Sequence, residues 1–134
     1  MAYEGQQIKI PGLKAGADLS AAQYMFVKLN ADNQVILCAA ATDIPIGVLQ
    51  NKPDASGKAA EVCVMGITKV SSDAALTAGN MIGPAADGQA DAKTAGTDAT
   101  GFVCGQVVVG SAAAAGLAVA VINCATPHNA VTAN

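Results

Sequence analysis

The feature that most constrains this chain is a pair of apolar segments near its centre, residues 42–53 and 59–66, which are typical of the two arms of a β-hairpin. Pro45 has no N–H to donate to a sheet, so it belongs at the start or the edge of a strand. Gly47 lacks a Cβ atom, which indicates that another part of the chain packs unusually close. Residues 53–57 combine Pro, Asp, Ser and Gly, which is turn chemistry. The sequence therefore predicts a central hairpin whose first strand begins near residue 46.

Short apolar runs separated by turn residues continue on both sides of this hairpin. Three further strand pairs are predicted, at residues 23–29 with 35–40, 81–84 with 89–92, and 102–109 with 117–122. Ser72 is placed to cap one helical turn at residues 74–76, and no longer helix is predicted. Short strands at regular intervals predict an all-β fold, a small β-barrel or sandwich of short strands and hairpins with at most one short helix.

The length of 134 residues fits one domain with a sizeable core. Residues 1–16 alternate weakly and are broken by Pro11 and Gly12, so they are predicted to form an extended N-terminal arm that contacts something outside the domain. Residues 17–124 are predicted to form a single β-barrel-like domain. Residues 125–134 are polar and are predicted to form a flexible C-terminal tail.

Charge is scarce in this chain, because only 13% of the residues are charged while 52% are hydrophobic. The usual charged fraction is about a quarter. A surface with so little charge is expected to lie against a partner. The net charge of −3 and the absence of a basic run exclude electrostatic capture of nucleic acid. Two Tyr and two Phe are too few to form a base-stacking platform.

The N-terminus carries neither the basic start nor the apolar core of a secretory signal, so synthesis in a cytoplasm is expected. The longest apolar run, residues 112–122, is shorter than the roughly 20 residues that span a bilayer. We therefore predict no membrane segment.

No constellation of residues in the sequence predicts catalysis, a cofactor or a metal. The cysteines lie far apart within apolar runs, so they are interpreted as small buried hydrophobic residues rather than as zinc ligands or disulfides. They are Cys38, Cys63, Cys104 and Cys124. His128 is the only histidine and lies in the polar tail, where a solvated side chain is expected rather than a catalytic base. The sequence indicates that the protein is not an enzyme.

Three weaker patterns have structural explanations. Ser56-Gly57-Lys58 resembles the end of a phosphate-binding loop, but Ala59 stands where a hydroxyl ligand belongs. The carboxylates Asp87, Asp91 and Asp98 lack the regular spacing of calcium ligands and are interpreted as solvated turn residues. Lys69 lies in a strand-like segment and not at the hairpin tip that a biotin or lipoate carrier requires.

The structural motif positions of the chain are Asp18, Leu19, Ser20, Pro45, Gly47, Val48, Leu49, Gly57 and Gly66. Most of them lie within a wider pattern, which consists of residues 15–21, Tyr24, residues 27–29, residues 46–53, Gly57, Ala59, Val62 and Gly66. This pattern resembles the capsid decoration, or cement, proteins of tailed bacteriophages, a family formerly described as a domain of unknown function and compared with the lambda head decoration protein. The resemblance extends from about residue 8 to about residue 123 and is most distinctive around residues 46–53.

The resemblance implies a homotrimeric β-barrel that binds the major capsid protein on the outer surface of an expanded head, near local three-fold positions. There it would stabilise the virion against the internal pressure of DNA. No catalytic residue, cofactor, metal, membrane, nucleic acid or small-molecule substrate comes with the family. By the same resemblance the N-terminal arm is expected to reach along the capsid. The candidate capsid contacts are Tyr3, Gln6, Ile8, Ile10 and Pro11.

Two other classes of function remain open. One is an oligomeric β-rich binding module on a phage or cell surface that recognises a glycan or peptide, which would normally expose several aromatic side chains. The other is an enzyme of unfamiliar type, which would need titratable residues gathered in a pocket.

Overall fold

The computed structural model describes residues 2–129, and these residues form an all-β fold without a helix. A sheet of nine antiparallel strands curls into a half-barrel, and a second sheet has two short strands. The strands are β1 (Gln7–Ile10), β2 (Phe26–Leu29), β3 (Val35–Leu37), β4 (Gly47–Leu49), β5 (Val62–Ser71), β6 (Met81–Pro84), β7 (Ala90–Ala92), β8 (Phe102–Val103), β9 (Gly105–Val109), β10 (Leu117–Asn123) and β11 (His128–Asn129). The predicted fold class is confirmed.

Strand β5 is the centre of the larger sheet, whose order is β3-β2-β4-β5-β10-β9-β6-β7, with β1 paired to β5 as well. Residues 62–63 of β5 pair with β4, which confirms the central hairpin. Residues 65–71 of β5 pair with β10. A Cβ atom on Gly47 would come within 3.0 Å of the carbonyl oxygen of Cys63, so the expected close approach is also confirmed.

Two hydrophobic clusters form the core. The first lies beneath β5, β6, β9 and β10, and the second packs β2, β3 and β4 against residues 15–22. The side chains of strand β10 show which face of the sheet covers the core. Ala118, Ala120 and Ile122 are buried on one face, and Val121 and Asn123 on the other face are exposed, as expected from the alternation of side chains along a strand. Val119 departs from this alternation, because it lies on the second face and is also buried.

The predicted hairpins form where turn chemistry was recognised. Asn33 has a φ of +62° in the β2–β3 turn, and Gly88 has a φ of +82° in the β6–β7 turn. Both residue types tolerate the left-handed region. Gly57 in the loop before β5 also has a positive φ, of +90°. The strand pairs β2–β3, β6–β7 and β9–β10 are antiparallel as predicted.

The N-terminal segment, predicted as an extended arm over residues 1–16, is not separate from the domain. Its backbone is extended, but residues 7–10 pair with residues 62–66 of β5 as part of the main sheet. Further along, the backbone N–H of Ala15 donates to the carbonyl of Lys58 at 2.8 Å. Ala15 is fully buried. The sheet and its core therefore include residues that precede position 17.

Two further expectations are corrected. Residues 74–76 form no helical turn, because the buried side chain of Leu76 joins the core and its backbone exchanges two hydrogen bonds with Ser111. The beginning of the predicted tail is paired, since His128 and Asn129 form β11 against β8. The rest of that tail, residues 130–134, lies outside the described residues.

Candidate interaction surface

Large apolar side chains are exposed on the outer face of the main sheet. Val121 is 44% exposed and Met81 is 41% exposed. Register connects them, because Val121 pairs with Ile67 on one side and with Gln106 on the other, and Gln106 pairs with Met81. Directly paired residues lie on the same face of a sheet. We call these four residues, Ile67, Val121, Gln106 and Met81, the outer row.

Two shallow hollows open on the surface near these strands. One, of about 450 Å³, is lined by Gln6, Gln7, Ile8, Met65 and Gly66. The other, of about 310 Å³, lies beside Met81 and Val121 and includes Gly105 and His128. A glycine lines part of each hollow, and only the second hollow is lined by residues of the outer row.

The outer row itself contains no charged side chain. The nearest cation along β5 is Lys69, whose Nζ lies 4.0 Å from Glu4 Oε1 and 5.6 Å from the centre of the Tyr24 ring. Lys9 on β1 is likewise paired, with its Nζ 3.7 Å from Glu61 Oε1. Charges beside the outer row are therefore matched within the chain.

Open edges of the sheet are poorly suited to accept a strand from another molecule. On β1, Lys9 is exposed, the register is interrupted by a bulge between Ile8 and Lys9, and Pro11 follows the strand. Lysine, proline and bulges are features that discourage pairing of an edge strand. The two ends of the main sheet are also partly covered. Ala15 forms an isolated β-bridge with Val35 of β3, and Ser72 forms one with Ala90 of β7. Contact with a partner is therefore favoured through a face.

The candidate capsid contacts from the sequence analysis lie along β1 and the segment before it. Tyr3, Gln6, Ile8 and Pro11 are exposed, and Ile8 is 61% exposed. Ile10 is half-buried and packs against the first core cluster. The segment thus presents most of its candidate residues outward, whereas Ile10 stabilises the fold.

The motif residues connect the N-terminal segment to the central hairpin. Asp18 Oδ1 accepts hydrogen bonds from the N–H and the hydroxyl of Ser20, at 3.0 and 2.7 Å. Both bonds lower the pKa of Asp18, and the bond from the backbone N–H has the larger effect. Leu19 is buried and donates its N–H to Pro53. The N–H of Gly57 donates to the carbonyl of Ala15.

Three more motif residues, Pro45, Val48 and Leu49, are fully buried in or beside the central hairpin. Gly66, the last motif residue, lies where β5 meets the N-terminal segment. The motif is therefore part of the framework of the fold.

All four cysteines are free and buried, which confirms their interpretation as core residues. Burial raises the pKa of Cys38 to about 12 and the pKa of Cys63 to about 11, and it is the largest cause in both cases. Thiols with such values hold their protons at neutral pH and react poorly. The thiol of Cys124 lies close to the other three, which sequence spacing gave no signal to predict.

The sequence analysis also did not predict an ion pair between a buried lysine and a partly exposed aspartate. The side chain of Lys93 is only 2% exposed, and its Nζ lies 3.3 Å from Asp91 Oδ2. Gly83 lies close to this lysine, because a Cβ atom there would come 3.3 Å from Lys93 Cε, and it would also clash with the carbonyl oxygen of Phe102. The pKa of the nearby Asp73 is raised. Burial is the largest cause, and the negative charges of Asp87 and Asp91 add to it.

The remaining patterns from the sequence do not assemble into a chemical site. Lys58 pairs with Asp54 at 2.8 Å on the surface, with no helix behind it to bind phosphate. Asp98 accepts the N–H of Thr94 within its own loop. His128 is exposed. Within residues 2–129 no group of His, Cys, Asp and Glu side chains is arranged to hold a metal ion.

Comparisons with known proteins add no relative. No family model matches the chain, and no curated protein matches it. In the described part of the chain there is no helix that could cross a membrane.

Proposed function

We propose that this protein is a capsid decoration protein of a tailed bacteriophage, which binds the major capsid protein on the outside of the expanded head as a homotrimer. It acts mechanically, by bridging neighbouring capsid subunits near local three-fold positions. The observation that carries the proposal is the exposure of uncharged apolar side chains along β1 and the outer face of the main sheet.

Exposed apolar area of this kind favours binding. Tyr3 and Ile8, at 46% and 61% exposure, project from the N-terminal segment. A large exposed apolar side chain is stabilised when contact with another molecule removes it from water. Burying an apolar side chain on association contributes roughly 25 cal/mol for each Å² removed from water. Many copies making such contacts would stabilise a shell substantially.

Mechanical binding also agrees with the chemistry of the core. The four thiols are buried and Lys93 is enclosed beside Asp91, so neither place presents an accessible nucleophile. The rigid antiparallel sheet holds the N-terminal segment on β5 through paired backbone hydrogen bonds. A bridging subunit needs this kind of fixed, uncharged surface more than it needs a pocket.

A binding assay tests the proposal. Expanded heads that lack this protein are mixed with the purified chain and sedimented, in parallel with unexpanded precursors from the same phage. We expect the chain to sediment with expanded heads only. Sedimentation with neither kind of particle contradicts the proposal.

A matched pair of variants then locates the contact. Ile8 and Ile44 are 61% and 62% exposed, so Ile8→Lys and Ile44→Lys make the same change at equally accessible places. Ile8→Lys is expected to weaken head binding because a lysine must be desolvated at the contact. Ile44→Lys, in the loop between β3 and β4, is expected to leave binding unchanged.

A further inference from the structure

We propose that a hollow beside β1 binds an acidic segment of the major capsid protein, in which an Asp or Glu side chain lies next to an apolar one. The hollow, of about 490 Å³, lies between the turn after β1 and the segment before β5. The inference rests on the proposed function and deepens it, because it assigns the chemistry of the partner to one place on the subunit. Residues that line the hollow include Lys9, Pro11, Lys14, Ala59, Ala60 and Glu61.

The hollow exists because two neighbouring stretches of chain pair at both of its ends and separate between them. Ile10 pairs with Val62 at the end of β1, and Lys14 forms a β-bridge with Ala59. Three residues separate the two paired positions of the N-terminal segment, and only two separate their partners, so the longer stretch makes a turn. A Cβ atom on Gly12, within this turn, would have no neighbour within 4 Å. The space beside the turn is therefore open to another molecule.

Charge is the first argument for an acidic partner. The chain carries a net charge of −3, yet two lysines and one glutamate line this hollow. Lys9 lies 3.7 Å from Glu61, and their side chains are 44% and 58% exposed, so Lys9 remains accessible to a further carboxylate. Lys14 is exposed, and among residues 2–129 it forms no ion pair. The hollow therefore presents a positive charge that is complementary to a carboxylate of another molecule.

The apolar part of the lining indicates what accompanies that carboxylate. Ile10 and Leu13 line the hollow and are half-buried, so part of their apolar surface is available to a partner. A phosphate or a nucleic acid binds through several cationic contacts and gains nothing from such a lining. A polypeptide segment with an apolar side chain beside an acidic one contacts both the lysines and the apolar residues.

Position on the subunit connects the hollow to the capsid. Ile8, which is 61% exposed, directly precedes Lys9, and a bulge in β1 lies between them. Pro11 is a candidate capsid contact and also lines the hollow. A capsid subunit that covers Ile8 and Pro11 therefore reaches the hollow as well.

A matched pair of charge reversals tests the hollow. Lys14 and Lys52 are both exposed, neither forms an ion pair among residues 2–129, and Lys52 lines a different hollow. Each variant is mixed at several concentrations with expanded heads that lack this protein, and the heads are sedimented. Lys14→Glu is expected to weaken head binding by roughly 10-fold or more, because like charges then face each other. Lys52→Glu is expected to bind as the unmodified chain does.

A third variant is expected to act in the opposite direction. Glu61→Gln removes a carboxylate that competes with the partner for Lys9. Head binding is expected to become roughly 2-fold tighter, the size of effect that an exposed ion pair produces. Urea unfolding of all three variants checks that each subunit is folded.

Cross-linking with a carbodiimide identifies the partner. The reagent joins an amine to a carboxylate in contact with it as an amide and takes up the water that is lost. On heads loaded with the unmodified chain, mass spectrometry is expected to find Lys14 joined to an Asp or Glu of the major capsid protein. Lys14→Arg keeps the charge but lacks the amine, so it is expected to bind heads without forming this cross-link.

The inference is overturned if folded Lys14→Glu binds expanded heads as tightly as the unmodified chain. It is also overturned if Lys14 forms no cross-link to the capsid protein, or forms cross-links only to another copy of this chain. In each of these cases the unmodified chain still sediments with expanded heads, so the proposed function stands. If the unmodified chain does not bind expanded heads, the proposed function and this inference are both contradicted.

Discussion

Gly66 lies directly against the backbone carbonyl of Gln6. Its φ is +131°, which L side chains rarely adopt, and a Cβ atom there would come within 3.0 Å of the Gln6 oxygen. The N–H of the next residue, Ile67, donates to that same oxygen at 3.0 Å. The absence of a side chain at one position of β5 thus permits the N-terminal segment to join the sheet.

We predict that Gly66→Ala destabilises the protein by about 3 kcal/mol, because it adds both backbone strain and a steric clash. Gly57→Ala is the control, since Gly57 has a φ of +90° but no atom within 4 Å of a Cβ. That substitution is expected to cost only about 1 kcal/mol. Urea unfolding measures both values. Hydrogen exchange should show that residues 7–10 lose protection in Gly66→Ala first. Equal costs at the two positions would contradict this explanation.

The ion pair between Lys28 and Asp43 connects β2 to the loop before β4. Asp43 Oδ2 lies 2.9 Å from Lys28 Nζ and accepts the N–H groups of Ala39 and Ala40 at 2.7 and 3.1 Å. The hydrogen bond from Lys28 is the largest cause that lowers the pKa of Asp43. We expect Asp43→Asn to lower the free energy of unfolding by about 1–2 kcal/mol at neutral pH.

The pH dependence of this effect has a definite sign. Because the pKa of Asp43 is lower in the folded protein than its ordinary 3.8, its contribution is fully present above that value and is lost as the pH falls through the folded pKa. The difference between Asp43→Asn and the unmodified chain should therefore shrink in acid. Asp54→Asn, at an exposed pair with Lys58, is the control and should change stability little. A pH-independent difference would contradict the assignment.

Lys93 and Asp91 are predicted to respond unequally to mutation. Removing Asp91 leaves a buried ammonium without its partner, so Asp91→Ala is expected to cost about 3 kcal/mol. Lys93→Met keeps the buried stem, and the Asp91 side chain is 38% exposed and is hydrated. We expect this variant to remain within about 1 kcal/mol of the unmodified chain. Unfolding of both variants and of the double variant measures the asymmetry. The double variant should be more stable than Asp91→Ala, and the opposite order would contradict a buried charge.

Asp73 should show the opposite pH dependence to Asp43. Its pKa is raised, by burial first and then by Asp87 and Asp91, so the folded protein holds its proton more strongly than the unfolded chain does. That stabilisation is fully present below the ordinary value of 3.8 and is lost as the pH rises through the folded pKa. Asp73→Asn is therefore expected to stabilise the protein at neutral pH, by roughly 0.5 kcal/mol. Thermal unfolding at several pH values checks this, and destabilisation at neutral pH would contradict it.

The hairpins could be predicted from sequence because turns depend on local residues. Asp87-Gly88 and the loop ending at Gly57 adopt the positive φ values that their residue types favour. The predicted helical turn after Ser72 was wrong, because the local capping signal was weaker than the burial of Leu76 in the core. Local sequence signals therefore predict the turns correctly, but they do not predict the structure of every segment between the turns.

Features that depend on distant residues could not be predicted. The pairing of β1 requires Gly66, which is about 60 positions away along the chain. The four cysteines come together, and Lys93 is enclosed, because of the order of strands in the sheet. The periodicity of the sequence alone does not determine that order. The outer row had a partial signal, the apolar character of β10 on both faces, but its partners on β5, β9 and β6 emerge only from the register.

The most direct test of the central proposal is a cryo-EM reconstruction of the mature head of the phage that encodes this chain. We predict density for this fold on the outer surface at local three-fold positions, with the N-terminal segment against the major capsid protein. Bare three-fold positions in a particle made with this protein present would contradict the account.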